Sequence, residues 1–308
     1  MNSHWLRRLT VATILPFHAD GRIDWDGFTR VLGYCTTQPE VSSVFVNGHA
    51  GESGALTPDE RAEVIRFTRR HMAPGQCLVA GLVARDTADA VEQARQAQDS
   101  GADVLTVFPL EFPGLEAAAR SQAQIAHVRT IGEAVDTPLA LFQYPFASPA
   151  THDTATLAAI AALPRLLGIK EGSDSMTLYE DNLRATKAAN PGLLMLPSNF
   201  DWFLPQLAVG GDGILSGLAS LAPQALAHLW RASEARDLNA MRAANDALYP
   251  LVRAVYALPR SDMYARIKVA LHDDGLIRSA FSRTCKTVFD DAQRAALRHG
   301  LAHARALA

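Results

Sequence analysis

Short runs of β-branched and other apolar residues recur along the chain, each followed by a longer segment whose apolar residues fall at helical spacing. That alternation predicts parallel strands joined by helices. The predicted strands are Thr10–Leu15, Ser43–Asn47, Cys77–Gly81, Val104–Phe108, Leu139–Gln143, Leu167–Lys170, Leu194–Pro197 and Gly213–Ser216. Helix starts keep the same register. Thr57-Pro58-Asp59-Glu60 offers a capping hydroxyl, a proline at the first helical position and a glutamate to close a capping box, opening a helix that runs to about Arg70. Asp86-Thr87 opens another, and Gly101 stands where a left-handed stop belongs. After Pro223 the pattern turns to helices alone, roughly over 223–235, 238–256, 261–272 and 289–306.

Eight strand–helix units predict an α/β fold, a closed (β/α)8 TIM barrel over residues 1–222, with a C-terminal helical extension over 223–308 packed on it as one structural unit. A doubly wound open sheet would give the same alternation. The chain lacks both a G-x-G-x-x-G after the first strand and a G-x-x-x-x-G-K-[ST] loop, which removes the usual nucleotide signals of that rival. No Pro/Gly/Ser-rich linker divides the chain.

Composition narrows the partners. With 48% hydrophobic and 20% charged residues the chain can bury a sizeable core, and its net charge of −3 with dispersed positive residues leaves no footprint for nucleic acid or an anionic membrane. A small-molecule partner is expected. Cys35, Cys77 and Cys285 lie far apart with no C-x-x-C pair, so they are read as reduced and structural. No long apolar run follows Arg7-Arg8, which argues against a signal peptide or spanning helix and for a cytoplasmic location. His299 and His303 have metal-ligand spacing but no third ligand nearby, and are read as a surface face; Gly210-Gly211-Asp212-Gly213 is read as a turn.

Barrel chemistry takes place at the C-terminal ends of the strands. Lys170 ends the apolar run Leu166-Leu167-Gly168-Ile169, so a rigid strand would hold its amine in the barrel mouth. A desolvated lysine loses proton affinity, and the neutral amine can attack a carbonyl. Taken alone, Lys170 equally fits a lysine that reaches water or pairs with Glu171. Gly48-His49-Ala50-Gly51 can turn tightly and aim successive N–H groups at a carboxylate, or it can be a simple glycine loop. His49 is a candidate proton carrier. Glu52-Ser53-Gly54 is assigned to loop geometry and helix entry.

Together these segments resemble the dihydrodipicolinate synthase/N-acetylneuraminate lyase family from about Leu9 through at least Pro223. The likeness is carried by Thr13-Ile14-Leu15-Pro16-Phe17 with Gly21 and Asp24, by Gly48-x-x-Gly51-Glu52 followed by Leu56-Thr57-x-x-Glu60-Arg61, and by Gly168-Ile169-Lys170-Glu171. The resemblance implies a (β/α)8 barrel with C-terminal helices, Lys170 as the Schiff-base lysine, a homodimer or homotetramer, and a class I lyase that needs neither metal nor organic cofactor.

The match departs at the catalytic periphery. His49-Ala50 stands where family members typically have Thr-Thr, Phe142 replaces the tyrosine at the end of strand five, Leu110-Glu111 replaces a tyrosine pair, and the arginine that clamps a distal carboxylate would fall at about Ala147. A divergent member that does not make dihydrodipicolinate is therefore expected. Alternation along strand five turns Tyr144 to the same side as Phe142, so Tyr144, His49 and Glu111 are expected to share the proton transfers. Gly48, His49, Ala50, Phe142, Ser198, Asn199 and Leu215 are expected to line the substrate. The expected reaction is aldol cleavage, condensation or dehydration of a 2-oxo acid such as a 2-keto-3-deoxy sugar acid; the alternative is a barrel that binds 2-oxo acids without turning them over.

Overall fold

The computed structural model describes residues 6–198 and 203–307. Eight parallel strands, β1 (Arg8–Ala12), β2 (Val41–Val46), β3 (Cys77–Leu82), β4 (Val104–Val107), β5 (Leu139–Gln143), β6 (Leu166–Glu171), β7 (Leu194–Pro197) and β8 (Gly213–Ser216), run in the order β7-β6-β5-β4-β3-β2-β1-β8. The fold is a (β/α)8 barrel. Its helices are α1 (Trp25–Cys35), α2 (Pro58–His71), α3 (Thr87–Asp99), α4 (Ala117–Ala134), α5 (Thr154–Ala161), α6 (Met176–Ala189), α7 (Phe203–Val209) and α8 (Pro223–Glu234), with α9 (Leu238–Val255), α10 (Met263–Asp273) and α11 (Asp291–Arg305) following. Helix α8 packs on β1, and α9 and α11 form an adjoining pair.

Local chemistry sets these elements. Thr57 and Glu60 close their capping box at 3.2 and 2.9 Å at the start of α2, and Asp86 accepts the Asp89 N–H at 2.8 Å at the start of α3. Outward residues such as Val11, Val44, Ile169 and Ile214 pack under the helices, while Phe45, Val79, Ala140, Phe142, Leu196 and Leu215 fill the barrel interior. Each fully buried Leu, Val or Phe contributes about 1.5–3 kcal/mol, so both layers hold the strands in one register. Gly168 is required there: a Cβ would stand 2.9 Å from the Leu194 carbonyl oxygen.

Among the described residues no ladder joins β7 to β8, and the Asp212 side chain spans that seam. The Asp212 N–H donates to the Met195 carbonyl at 2.8 Å, while its carboxylate accepts from the Met195 N–H at 2.9 Å and from Lys187 Nζ at 2.7 Å. Asp103 repeats the device between β3 and β4: its N–H donates to Leu78 O at 2.8 Å, its carboxylate accepts the Leu78 N–H at 2.8 Å, and Arg69 pairs with it.

The first strand starts and stops earlier than its apolar run suggests, at Arg8–Ala12 in place of Thr10–Leu15. Ile14, Leu15 and Phe17 are buried beyond it, and C-terminal elements cover Phe17: the Lys268 ammonium lies 4.2 Å and the Arg283 guanidinium 4.5 Å from its ring. No helix among the described residues is long and apolar enough to cross a membrane. Cys35, Cys77 and Cys285 are free, and the His299 and His303 rings stack on an exposed face of α11.

Candidate active site

Lys170 occupies an inward position of β6, between Phe142 of β5 and Leu196 of β7 in the strand register. The side chain is buried, with the amine 3.7 Å from the centre of the Phe142 ring and 5.7 Å from that of Phe45. Burial pushes its pKa down to about 7, so near neutrality a large share of the amine is free to attack a carbonyl. Glu171 is not its partner. The next residue points to the opposite face of the sheet, where Asn182 donates to its carboxylate at 3.1 Å and the Ser173 N–H at 3.3 Å; burial pushes that carboxyl up to about 7.

Strand β2 leads into the turn Gly48–Glu52. Among the described residues neither the His49 nor the Ala50 N–H donates to the protein, as a carboxylate-binding turn requires. Gly48 is needed here, since a Cβ would stand 3.0 Å from the Phe45 ring. Ala50 is buried beside Gly217, just past β8, where a Cβ would lie 3.6 Å from that of Ala50 and 2.6 Å from the Met263 methyl.

Tyr144 follows β5, and its hydroxyl is 2.9 Å from His49 Nε2. The two residues are 95 positions apart in sequence. The His49 ring has solvent on one side, yet the surrounding rings, and then the Lys170 charge, push its pKa down to about 4; it is neutral at pH 7. Burial raises the Tyr144 phenol, which therefore keeps its proton. Phe108, Phe142, Tyr144 and His49 form a wall with centroid separations of 4.9–6.3 Å.

The remaining expected residues divide. Ser198 is buried, donates its N–H to the Glu171 carbonyl at 3.0 Å, and has no hydroxyl partner among the described residues. Leu215 is fully buried in the barrel interior. Asn199 lies outside the described residues. Glu111 is exposed on the segment after β4, and no hydrogen bond or ion pair joins it to Lys170, Tyr144 or His49.

Two features escaped the linear reading. Phe45 and Phe108 line the site, and strand alternation at the ends of β2 and β4 is the signal that would have found them. Glu52, with a left-handed φ of 54°, buries its side chain completely against Lys268 of α10. It also accepts from the Ser282 and Thr284 hydroxyls at 2.8 and 2.9 Å and from the Thr284 N–H at 3.1 Å. Burial opposes its charge, but Lys268 and the hydroxyls outweigh burial and hold the carboxyl below its ordinary range. Burial lowers Lys268 to about 8, which leaves it charged at pH 7. The turn carrying His49 and Ala50 is thus clamped to the C-terminal elements.

Comparison with known proteins agrees with this architecture. The chain is 30% identical over 302 residues to 4-hydroxy-tetrahydrodipicolinate synthase of Corynebacterium aurimucosum, covering 97% of this chain and 95% of the relative. Among solved structures, dihydrodipicolinate synthase from Thermotoga maritima superimposes with a TM-score of 0.90 at 23% identity, over 99% of this chain and 100% of that one. The chloride-inhibited dihydrodipicolinate synthase of Acinetobacter baumannii, complexed with pyruvate, gives 0.86 at 24% identity over 97% and 99%. The dihydrodipicolinate synthetase family pattern matches residues 5–304, and the chain belongs to that family as a divergent member.

Proposed function

We propose that Lys170 is the Schiff-base lysine of this lyase and that its donor substrate is pyruvate or another 2-oxo acid. The neutral amine attacks the keto carbon, water leaves, and the iminium draws electrons from the adjoining C3–H bond. The enamine left by loss of that proton then forms the bond of an aldol condensation; the reverse order cleaves one, and loss of a neighbouring hydroxyl is a dehydration. The His49 and Ala50 N–H groups hold the substrate carboxylate.

The proton transfers are assigned to Tyr144 and His49. A histidine with a pKa near 4 is a poor base at neutral pH, so His49 is assigned to fixing the Tyr144 hydroxyl, and Tyr144 relays a proton by taking one up as it passes its own on. The burial of Lys170 on a strand end, with its lowered proton affinity, is the observation that carries the proposal. The assembly proposed for the protein is a homodimer or homotetramer, which sedimentation velocity measures directly.

Intact mass after borohydride reduction in saturating pyruvate tests the lysine. Native protein should gain one reduced pyruvate and Lys170→Ala should gain none; a gain that persists in the variant would sink the assignment. Tyr144→Phe should keep the adduct while turnover falls about 10²-fold or more, the usual contribution of a proton-transfer group.

A further inference from the structure

On the side of β4 and β5 the described wall beside the amine is aromatic. Phe142 stands 3.7 Å from Nζ, Phe108 meets Phe142 edge to face at 5.3 Å and 83°, and Tyr144 closes on Phe142 at 4.9 Å and 75°. The chain leaving β5 continues the same character. Tyr144-Pro145-Phe146-Ala147 carries no charge, and Phe146 is 57% exposed. The Tyr144 hydroxyl and His49 Nε2 meet at 2.9 Å, and neither carries a charge at pH 7 to offer an ionic acceptor.

Two basic side chains of the C-terminal elements are engaged. Arg260 holds both oxygens of Asp174 at 2.9 Å, and Lys268 is paired with Glu52. Among the described residues a charged acceptor would find no dedicated counter-ion on this wall, and a polyhydroxylated one would surrender water for ring faces. An aromatic acceptor would instead extend the edge-to-face cluster already present.

We infer that the aldehyde joined to pyruvate at Lys170, or released from its adduct, is an uncharged aromatic one. This rests on the Schiff-base reading above. In the forward direction C3 of the pyruvate enamine bonds to the aldehyde carbon, the aldehyde oxygen takes a proton, and water hydrolyses the iminium to free Lys170. The product is a 4-aryl-4-hydroxy-2-oxobutanoate, the sum of the two reactants; loss of one water from C3 and C4 gives the unsaturated oxo acid.

The experiment offers purified protein pyruvate with benzaldehyde, succinic semialdehyde or glyceraldehyde, and compares kcat/KM for the three. Benzaldehyde should lead each of the others by at least about tenfold, and Phe108→Leu should shrink that lead by about tenfold, the size of one aromatic pair. A lead for succinic semialdehyde or glyceraldehyde overturns the inference, as does a pyruvate adduct on Lys170 with no turnover of any of the three. Failure to form the adduct overturns the Schiff-base reading itself, so the two failures are told apart by one mass measurement. The native panel decides the matter even where Phe108→Leu does not fold.

Discussion

Replacing Lys170 by methionine should make the protein more stable at pH 6 while abolishing the pyruvate adduct. The ordinary lysine pKa of 10.5 falls to about 7 in the fold, a difference worth roughly 5 kcal/mol at 1.36 kcal/mol for each tenfold change in proton affinity. Between these values the unfolded chain binds more protons than the folded one, so native stability rises with pH. Below pH 7 the full cost of burying the ammonium is present; by pH 9 roughly 2 kcal/mol of it remains, and above 10.5 it is gone. Methionine has no charge to desolvate and keeps a favourable contact with the Phe142 ring. Water penetration and relaxation reduce the ideal figure, so the expected gain is at least ~2 kcal/mol at pH 6 and falls by half or more at pH 9. Urea denaturation of both proteins at the two pH values measures this. A variant no more stable than the native protein at pH 6, or a gain equal at both pH values, would refute a desolvated amine at this position.

Other consequences concern the framework. Lys268→Met leaves Glu52 buried without its cation and should cost about 3–5 kcal/mol, whereas the pair Glu52→Gln with Lys268→Met should recover most of that loss, both read by chemical denaturation. Asp212→Ala should cost about 3 kcal/mol and speed hydrogen exchange of the Met195 amide, because the seam between β7 and β8 loses its bridging carboxylate. Unchanged exchange at Met195 would show that the seam is held by other means.

Much of the barrel was legible because each strand buries both faces and therefore reads as a short apolar run; β5, β7 and β8 fall at the expected residues. The same signal misled at the start of the chain. Ile14, Leu15 and Phe17 are buried beyond the end of β1, Phe17 beneath Lys268 and Arg283, and such coverage leaves the same pattern as a sheet. Lys170 was legible as the polar end of an apolar strand, and Tyr144 through the two-residue alternation of β5. The hydrogen bond between Tyr144 and His49 was not, because nothing in either segment reports the arrangement that brings the end of strand two to the end of strand five. The exposure of Glu111 was not legible for a related reason: position after a strand does not distinguish an inward residue from an exposed one. Glu52 looked like a loop residue since its partners stand 216 to 232 residues away.

That separation also places the clamp in time. At translation speeds of about 5–20 residues per second, Lys268 leaves the ribosome roughly 10–40 s after Glu52. All eight strands have by then been made, yet the turn that bears His49 and Ala50 still holds a carboxylate with no cation to receive it. Only the last part of the chain, reaching back over Phe17, completes that turn. A nascent barrel therefore has Lys170 on its strand before the turn after β2 is fixed, and the final geometry of that turn waits until synthesis is nearly finished.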